Sequence, residues 1–248
     1  HILDTAEGKV LKVVDGKLVT IANLLTGLDN FAFNNKDEIF VSSYADGSIL
    51  KINGDKTEEI LPGGISHPGG LAVYKDSLIV ADIQSVRAFN IGNKNQEWVL
   101  RNIFRASPLG ANTSAAILGD HVLLVSWVDN TVKILEPESG NIIKSFEGLN
   151  IPVSAAKFND SYVVALHGNS SISILNEDGS LEILSNEFDS PTHVIPYKNG
   201  LLVSDRNRGE IIEVSSSGDT TTLVSGLNSP EGIATIEDTI FLYEGDTG

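Results

Sequence analysis

The sequence contains no cysteine and no methionine. The first absence removes disulfides, thiolate nucleophiles and cysteine-ligated zinc together. The second, in a chain that starts at His1, leads us to expect a processed or trimmed polypeptide. Basic residues are scarce: 17 Lys and Arg stand against 33 Asp and Glu, a net charge of −16. No nucleic-acid partner is expected, because binding a polyanion needs a basic stripe and none offsets the acidity. No apolar run is long enough to cross a membrane as a helix, and the longest, near His121–Val128, is broken by Ser126. No membrane insertion is expected, and no basic, apolar, small-residue leader is visible. A helical hydrophobic period is missing throughout. Three triplets, starting at Asn112, Asn159 and Asn169, match the N-glycosylation pattern and lean the expected setting towards secreted or extracellular.

What is present is a repeat. Six stretches share one plan: Asn30–Tyr44, Pro68–Ile83, Thr113–Trp127, Val153–His167, Pro191–Arg206 and Pro230–Gly245. Each is a short apolar strand, a polar turn and a second β-rich strand that ends in a polar residue. Their first strands align at Phe31, Leu71, Ala115, Ala155, Val194 and Ile233, at steps of 39 to 44 residues. A turn such as Asp46-Gly47 or Arg208-Gly209 follows, then an alternating third strand such as Glu210–Ser215, then a fourth such as Thr221–Ser225. Alternation with Gly, Asn and Asp turns marks antiparallel hairpins. Four short strands per repeat describe a propeller blade. The predicted fold is therefore all-β, a six-bladed β-propeller with four antiparallel strands per blade, forming a single domain over residues 1–248.

The two ends predict how the ring closes. Ala6–Val14 aligns without gaps on the third-strand segment Ala45–Asn53, and Lys17–Ala22 then reads as a fourth strand. The last repeat supplies only strands one and two, so the N-terminal segment is expected to complete the sixth blade and protect its edges. Two segments compete for one place: His1–Ala6 reads as a further second strand, duplicating Thr239–Glu244. A seventh blade stays open on this reading.

Phrases such as Pro68-Gly-Gly-Leu-Ala and Pro230-Glu-Gly-Ile-Ala, with the strand Leu78–Asp82, resemble two related propeller groups. One is the NHL-repeat proteins. The other is the gluconolactonase, senescence-marker-protein and strictosidine-synthase-like group. The second resemblance implies a divalent metal, calcium above all, held at the mouth of a central channel by the Glu of a Glu-Gly pair and by Asn and Asp in other blades. Glu231-Gly232 matches that Glu. The group's Pro-Asn-Gly motif is absent: Pro68-Gly69-Gly70 and Pro191-Thr192-His193 stand in its place.

Within a blade the start of strand one and the end of strand two lie at the same end, which makes that end the expected working face. The start positions are Asp29-Asn30, Gly69-Gly70, Thr113-Ser114, Val153-Ser154, Thr192-His193 and Glu231-Gly232; the ends are Ser43, Asp82, Ser126, Leu166, Asp205 and Glu244. Carboxylates with neighbouring carbonyls suit a hard cation, so Glu231, Asp29 and Asp205 are the expected metal ligands. An imidazole beside carboxylates suits proton transfer, which makes His193 and His67 the catalytic candidates. Asn30, Asp82, Asn112, Trp127, His167 and Glu244 are the expected ligand contacts. The bland alternative is that Asp82 and Asp205 cap strand ends by bonding turn amides. Two functions remain open: a metal-dependent hydrolase of a lactone or small ester, towards which the Glu-Gly pair leans, and a non-enzymatic NHL-type propeller that binds a small ligand or a protein partner.

Overall fold

The computed structural model describes every residue except position 55, 110–120, 237 and 246–248, with side chains at 107–109 also left aside. Asn112, Thr113 and Ser114 lie outside the described residues. The chain begins with a three-stranded sheet of β1 (Ile2–Asp4), β2 (Lys9–Val14) and β3 (Lys17–Asn23). Five four-stranded antiparallel sheets follow in chain order. They are β4 (Leu28–Phe33), β5 (Ile39–Ser43), β6 (Ile49–Asn53) and β7 (Lys56–Leu61); β8 (Leu71–Tyr74), β9 (Ser77–Ala81), β10 (Ser85–Asn90) and β11 (Gln96–Arg101); β12 (Ala106–Leu109), β13 (Val122–Ser126), β14 (Thr131–Leu135) and β15 (Ile142–Phe146); β16 (Pro152–Phe158), β17 (Ser161–Leu166), β18 (Ser171–Leu175) and β19 (Leu181–Ser185); β20 (Pro191–Tyr197), β21 (Gly200–Asp205), β22 (Glu210–Val214) and β23 (Thr220–Val224). A hairpin, β24 (Pro230–Ile236) and β25 (Thr239–Glu244), ends the series. Among the described residues the only helical segment is a 3₁₀ turn at His167–Asn169.

Burial explains why these sequences read as they do. Second strands such as β5 and β21 are buried at every residue. They face neighbours on both sides, so they are continuous apolar runs rather than alternating ones. Fourth strands such as β19 are exposed over most of their length. In the core Phe40 packs with Ile49, Leu78 and Val80, and Val163 packs with Ile172, Leu201 and Val203. Each such side chain contributes about 1.5–3 kcal/mol by leaving water.

The turn after the second strand has a steric requirement. Gly8, Gly47 and Gly209 occupy the same repeat position and all have positive φ, at 68°, 76° and 65°. A Cβ on them would run into the carbonyl groups of Leu24, Ile65 and Leu227 respectively. The approach is so close because the next connection passes directly over the turn: the Leu227 amide bonds the Gly209 carbonyl at 3.0 Å and the Leu24 amide bonds the Gly8 carbonyl at 2.7 Å.

The competition for the inner edge of β2 resolves in favour of the N-terminal segment. β1 pairs with β2 in the register Ile2↔Leu11, Leu3↔Val10 and Asp4↔Lys9. Asp4 takes the place that Asp205 has in β21, and its Oδ1 accepts the Glu7 amide at 2.9 Å much as Asp205 accepts that of Arg208. Among the described residues β25 bonds to β24 and not to β2, so the expected pairing of Thr239–Glu244 with β2 is not made.

The described residues fall into two compact units. The N-terminal unit holds residues 1–109, 121–124 and 135–142; the C-terminal unit holds 125–134 and 143–245.

Candidate functional site

In the C-terminal unit the positions at the starts of the first strands are occupied by inter-blade clasps. Each of these strands opens with a bulge, between Pro152 and Ser154 in β16, Pro191 and His193 in β20, and Pro230 and Ile233 in β24. A bulge takes an amide out of the ladder, and that amide needs another acceptor. Ser154 Oγ accepts the Val194 amide at 3.2 Å. One blade on, at the same repeat position, His193 Nδ1 accepts the Ile233 amide at 3.0 Å. Burial lowers the His193 pKa to about 4, so the ring is neutral near pH 7. With Nδ1 accepting, the remaining proton sits on Nε2 and no basic nitrogen is left. His193, expected as a catalytic base, is thus a structural acceptor.

A second set of bonds ties the ends of second strands to the incoming loops. Asp205 is 0 % exposed. Its Oδ2 accepts the Asp189 amide at 2.7 Å, and its Oδ1 accepts the amides of Ser190 at 2.9 Å and Arg208 at 3.3 Å. Glu244 repeats the device on the Asn228 amide. Asp205, expected as a metal ligand, is buried here and its carboxylate ties three amides of the loop and turn together. Glu231 faces a cation that is already present, with the Arg206 guanidinium 3.4 Å from its Oε1. Among the described residues no three His, Asp or Glu side chains gather closely enough to hold a metal ion. The donor set here does not fit calcium. His167 Nδ1 lies 3.2 Å from Ser190 Oγ, and Trp127 is half exposed.

The N-terminal unit uses the corresponding positions differently. Ser42 Oγ accepts the Asn30 amide at 3.0 Å and donates to the Gly69 carbonyl at 2.8 Å, while Asn30 Oδ1 accepts the Phe31 amide at 2.7 Å. Asp82 is buried against its own turn, accepting from the amides of Gln84 and Ser85 and the Ser85 hydroxyl, with Arg87 at 3.1 Å. Asn30 and Asp82 are structural here, as the bland alternative for Asp82 has it.

Asp29 differs from all of these. Its carboxylate leans over Gly69, whose absent Cβ would stand 3.1 Å from Oδ2. It has no hydrogen-bonding or ionic partner among the described residues. Crowding by neighbouring atoms strips water from a group that still reaches solvent, and this desolvation raises its pKa above the ordinary aspartate value. Two residues before Gly69, His67 adopts a left-handed backbone at φ 55°. Ile151 and Ser229, which precede Pro152 and Pro230 as His67 precedes Pro68, share this conformation at φ 52° each, so it belongs to the blade connection. The His67 ring meets the Tyr44 ring at 4.6 Å, and both are exposed. His67 is two residues from Gly69, at most about 7 Å along the backbone, so the ring pair belongs to the same segment that Asp29 leans over. A lone His or Asp in this sequence carries no signal for this arrangement; the nearest one is Gly69-Gly70 following His67-Pro68.

No family model matches this sequence, and no curated protein matches it. Solved structures do match in shape. Virginiamycin B lyase from Staphylococcus aureus superposes with a TM-score of 0.79 at 14% identity, covering 96% of this chain and 85% of that one. The fold is a six-bladed β-propeller. A catalytically inactive histidine-to-alanine variant of the same lyase with quinupristin gives a TM-score of 0.75 at 15% identity, covering 93% and 82%. The nidogen/laminin complex gives 0.63 at 15% identity, covering 87% of this chain and 90% of that chain. Neighbours of this fold thus include both a lyase and a propeller in a protein complex, and likeness at this identity carries the fold alone. The finer resemblance to the gluconolactonase-like group rests on the repeat phrases.

Proposed function

We propose that this chain is a non-enzymatic binding propeller, and that the first-strand starts of its N-terminal unit receive a small organic cation. One observation carries the reading. The ionisable groups of the C-terminal unit that sequence singles out are engaged in clasps or pairs, whereas Asp29 is a partly desolvated carboxylate without a counter-ion among the described residues, leaning over the segment that carries two exposed rings. A carboxylate in that condition gains most from a positive charge, and aromatic faces attract alkyl-ammonium groups by about 0.5–2 kcal/mol. The net charge of −16 favours the encounter.

Choline is a suitable probe. Isothermal titration is expected to show saturable binding, lost in Asp29→Asn and weakened in Tyr44→Ala. Calcium and a neutral disaccharide serve as alternative occupants. Calcium binding lost in Glu231→Gln, accompanied by lactone or ester hydrolysis lost in His193→Gln, would replace this reading with the metal-dependent hydrolase. Choline binding unchanged in Asp29→Asn would also overturn it.

A further inference from the structure

A cavity of about 500 Å³ opens in the N-terminal unit at the turn end of its strands, away from the first-strand starts. Small-molecule sites fall in the range of roughly 300–1,000 Å³. Its floor is apolar: Ile39 and Ile52 are almost wholly buried, and Ile21 adds to them. His1, its ring 4.9 Å from that of Phe33, lines one side. Two opposite charges complete the lining, Lys12 on β2 and Asp37 in the turn between β4 and β5.

These charges are not paired with each other. Neither side chain has a hydrogen-bonding or ionic partner among the described residues. The turn explains the position of Asp37. Asn34 Oδ1 accepts the Lys36 and Glu38 amides, the Asp37 amide bonds the Asn34 carbonyl, and Asp37 itself sits at φ 59°. Lys12 is held on the other side by its cross-strand pairing with Val19.

We propose that this cavity binds a zwitterion with an apolar body, of the apolar α-amino-acid class. The ligand carboxylate meets Lys12, its ammonium meets Asp37, and its side chain lies on Ile39 and Ile52. Lys12 and Asp37 are both exposed. A simple fatty carboxylate would meet Lys12 alone and a simple alkylamine Asp37 alone, so each would forgo one of the two ion pairs.

The site is independent of the cation site at Asp29, so the two can fail separately. Isothermal titration would compare leucine with 4-methylpentanoate, which lacks the ammonium, and with isopentylamine, which lacks the carboxylate. Leucine should bind best, each analogue weakening by about tenfold. Lys12→Gln should bring leucine down to the level of the amine, and Asp37→Asn to the level of the acid. Asp29→Asn should leave leucine binding unchanged. Three ligands that bind alike, leucine binding insensitive to both substitutions, or no leucine binding at all would each overturn the assignment.

Discussion

The same repeat position does opposite work in the two units. In β5 and in β21 a serine near the end of the second strand donates to the carbonyl at the start of the next blade, Ser42 to Gly69 at 2.8 Å and Ser204 to Glu231 at 2.7 Å. The backbone arrangement is common to both, and the side chains placed on it are not. At position 231 a glutamate turns to Arg206. At position 69 there is no side chain, and the carboxylate of Asp29 moves into the space. His193 and Ser154 spend their acceptors on the next blade, whereas Asp29 keeps its oxygens. Polar residues at blade starts are in the first place the bonds that hold blade to blade. Only those left over after that accounting are available to a ligand.

The largest expected effect comes from removing a clasp. Asp205→Ala orphans three amides, that of Ser190 buried, together with the hydrogen bonds of a fully buried carboxylate, and should cost about 3–5 kcal/mol in urea unfolding. Asp205→Asn keeps one acceptor oxygen and should cost less. Equal losses for the two would mean that the amide bonds are not the source.

His193 gives the next effect, and it depends on pH. The neutral ring is the folded form, with a pKa near 4 against 6.5 when free. The unfolded chain therefore binds the proton first as pH falls, so stability present above about pH 6.5 is lost progressively down to about pH 4. The slope is roughly 1.4 kcal/mol per pH unit for one group, about 3 kcal/mol at most in all. His193→Gln removes the titration and should flatten this slope in unfolding curves measured between pH 4 and 7. A slope unchanged by the substitution would place the titrating group elsewhere.

The smallest effect sharpens the contrast. Glu231→Gln loses only a half-exposed pair with Arg206 and should change stability by about 0.5 kcal/mol or less. A loss above about 2 kcal/mol would make Glu231 a structural residue like Asp205.

The blades were legible in the sequence because second strands such as β5, β13 and β21 are buried at every residue and the turns after four of them put glycine or asparagine at positive φ, at Gly8, Gly47, Asn130 and Gly209. Five of the six aligned first-strand positions, Phe31, Leu71, Ala155, Val194 and Ile233, fall in first strands of the structure; Ala115 lies outside the described residues. The place of β1 was legible only as a rivalry, since three residues of strand pattern match many registers. The clasp role of His193 was hidden for a different reason. Its partner is the Ile233 amide, 40 residues away, and a backbone donor leaves no mark in the sequence. The one available hint was Ser154, a small polar residue in the same slot one repeat earlier. Asp29 was singled out as a metal ligand, and its lack of partners among the described residues follows from Gly69 and from where the chain crosses, which spacing alone does not encode.

The most direct test of this division of labour is the titration of Asp29 followed by NMR of its carboxyl carbon, in the free protein and with choline added. A carboxylate that is desolvated and unpartnered should titrate above the ordinary aspartate range, and return towards that range when the cation binds. An Asp29 that titrates at or below the ordinary value in the free protein, and does not respond to choline, would contradict the account.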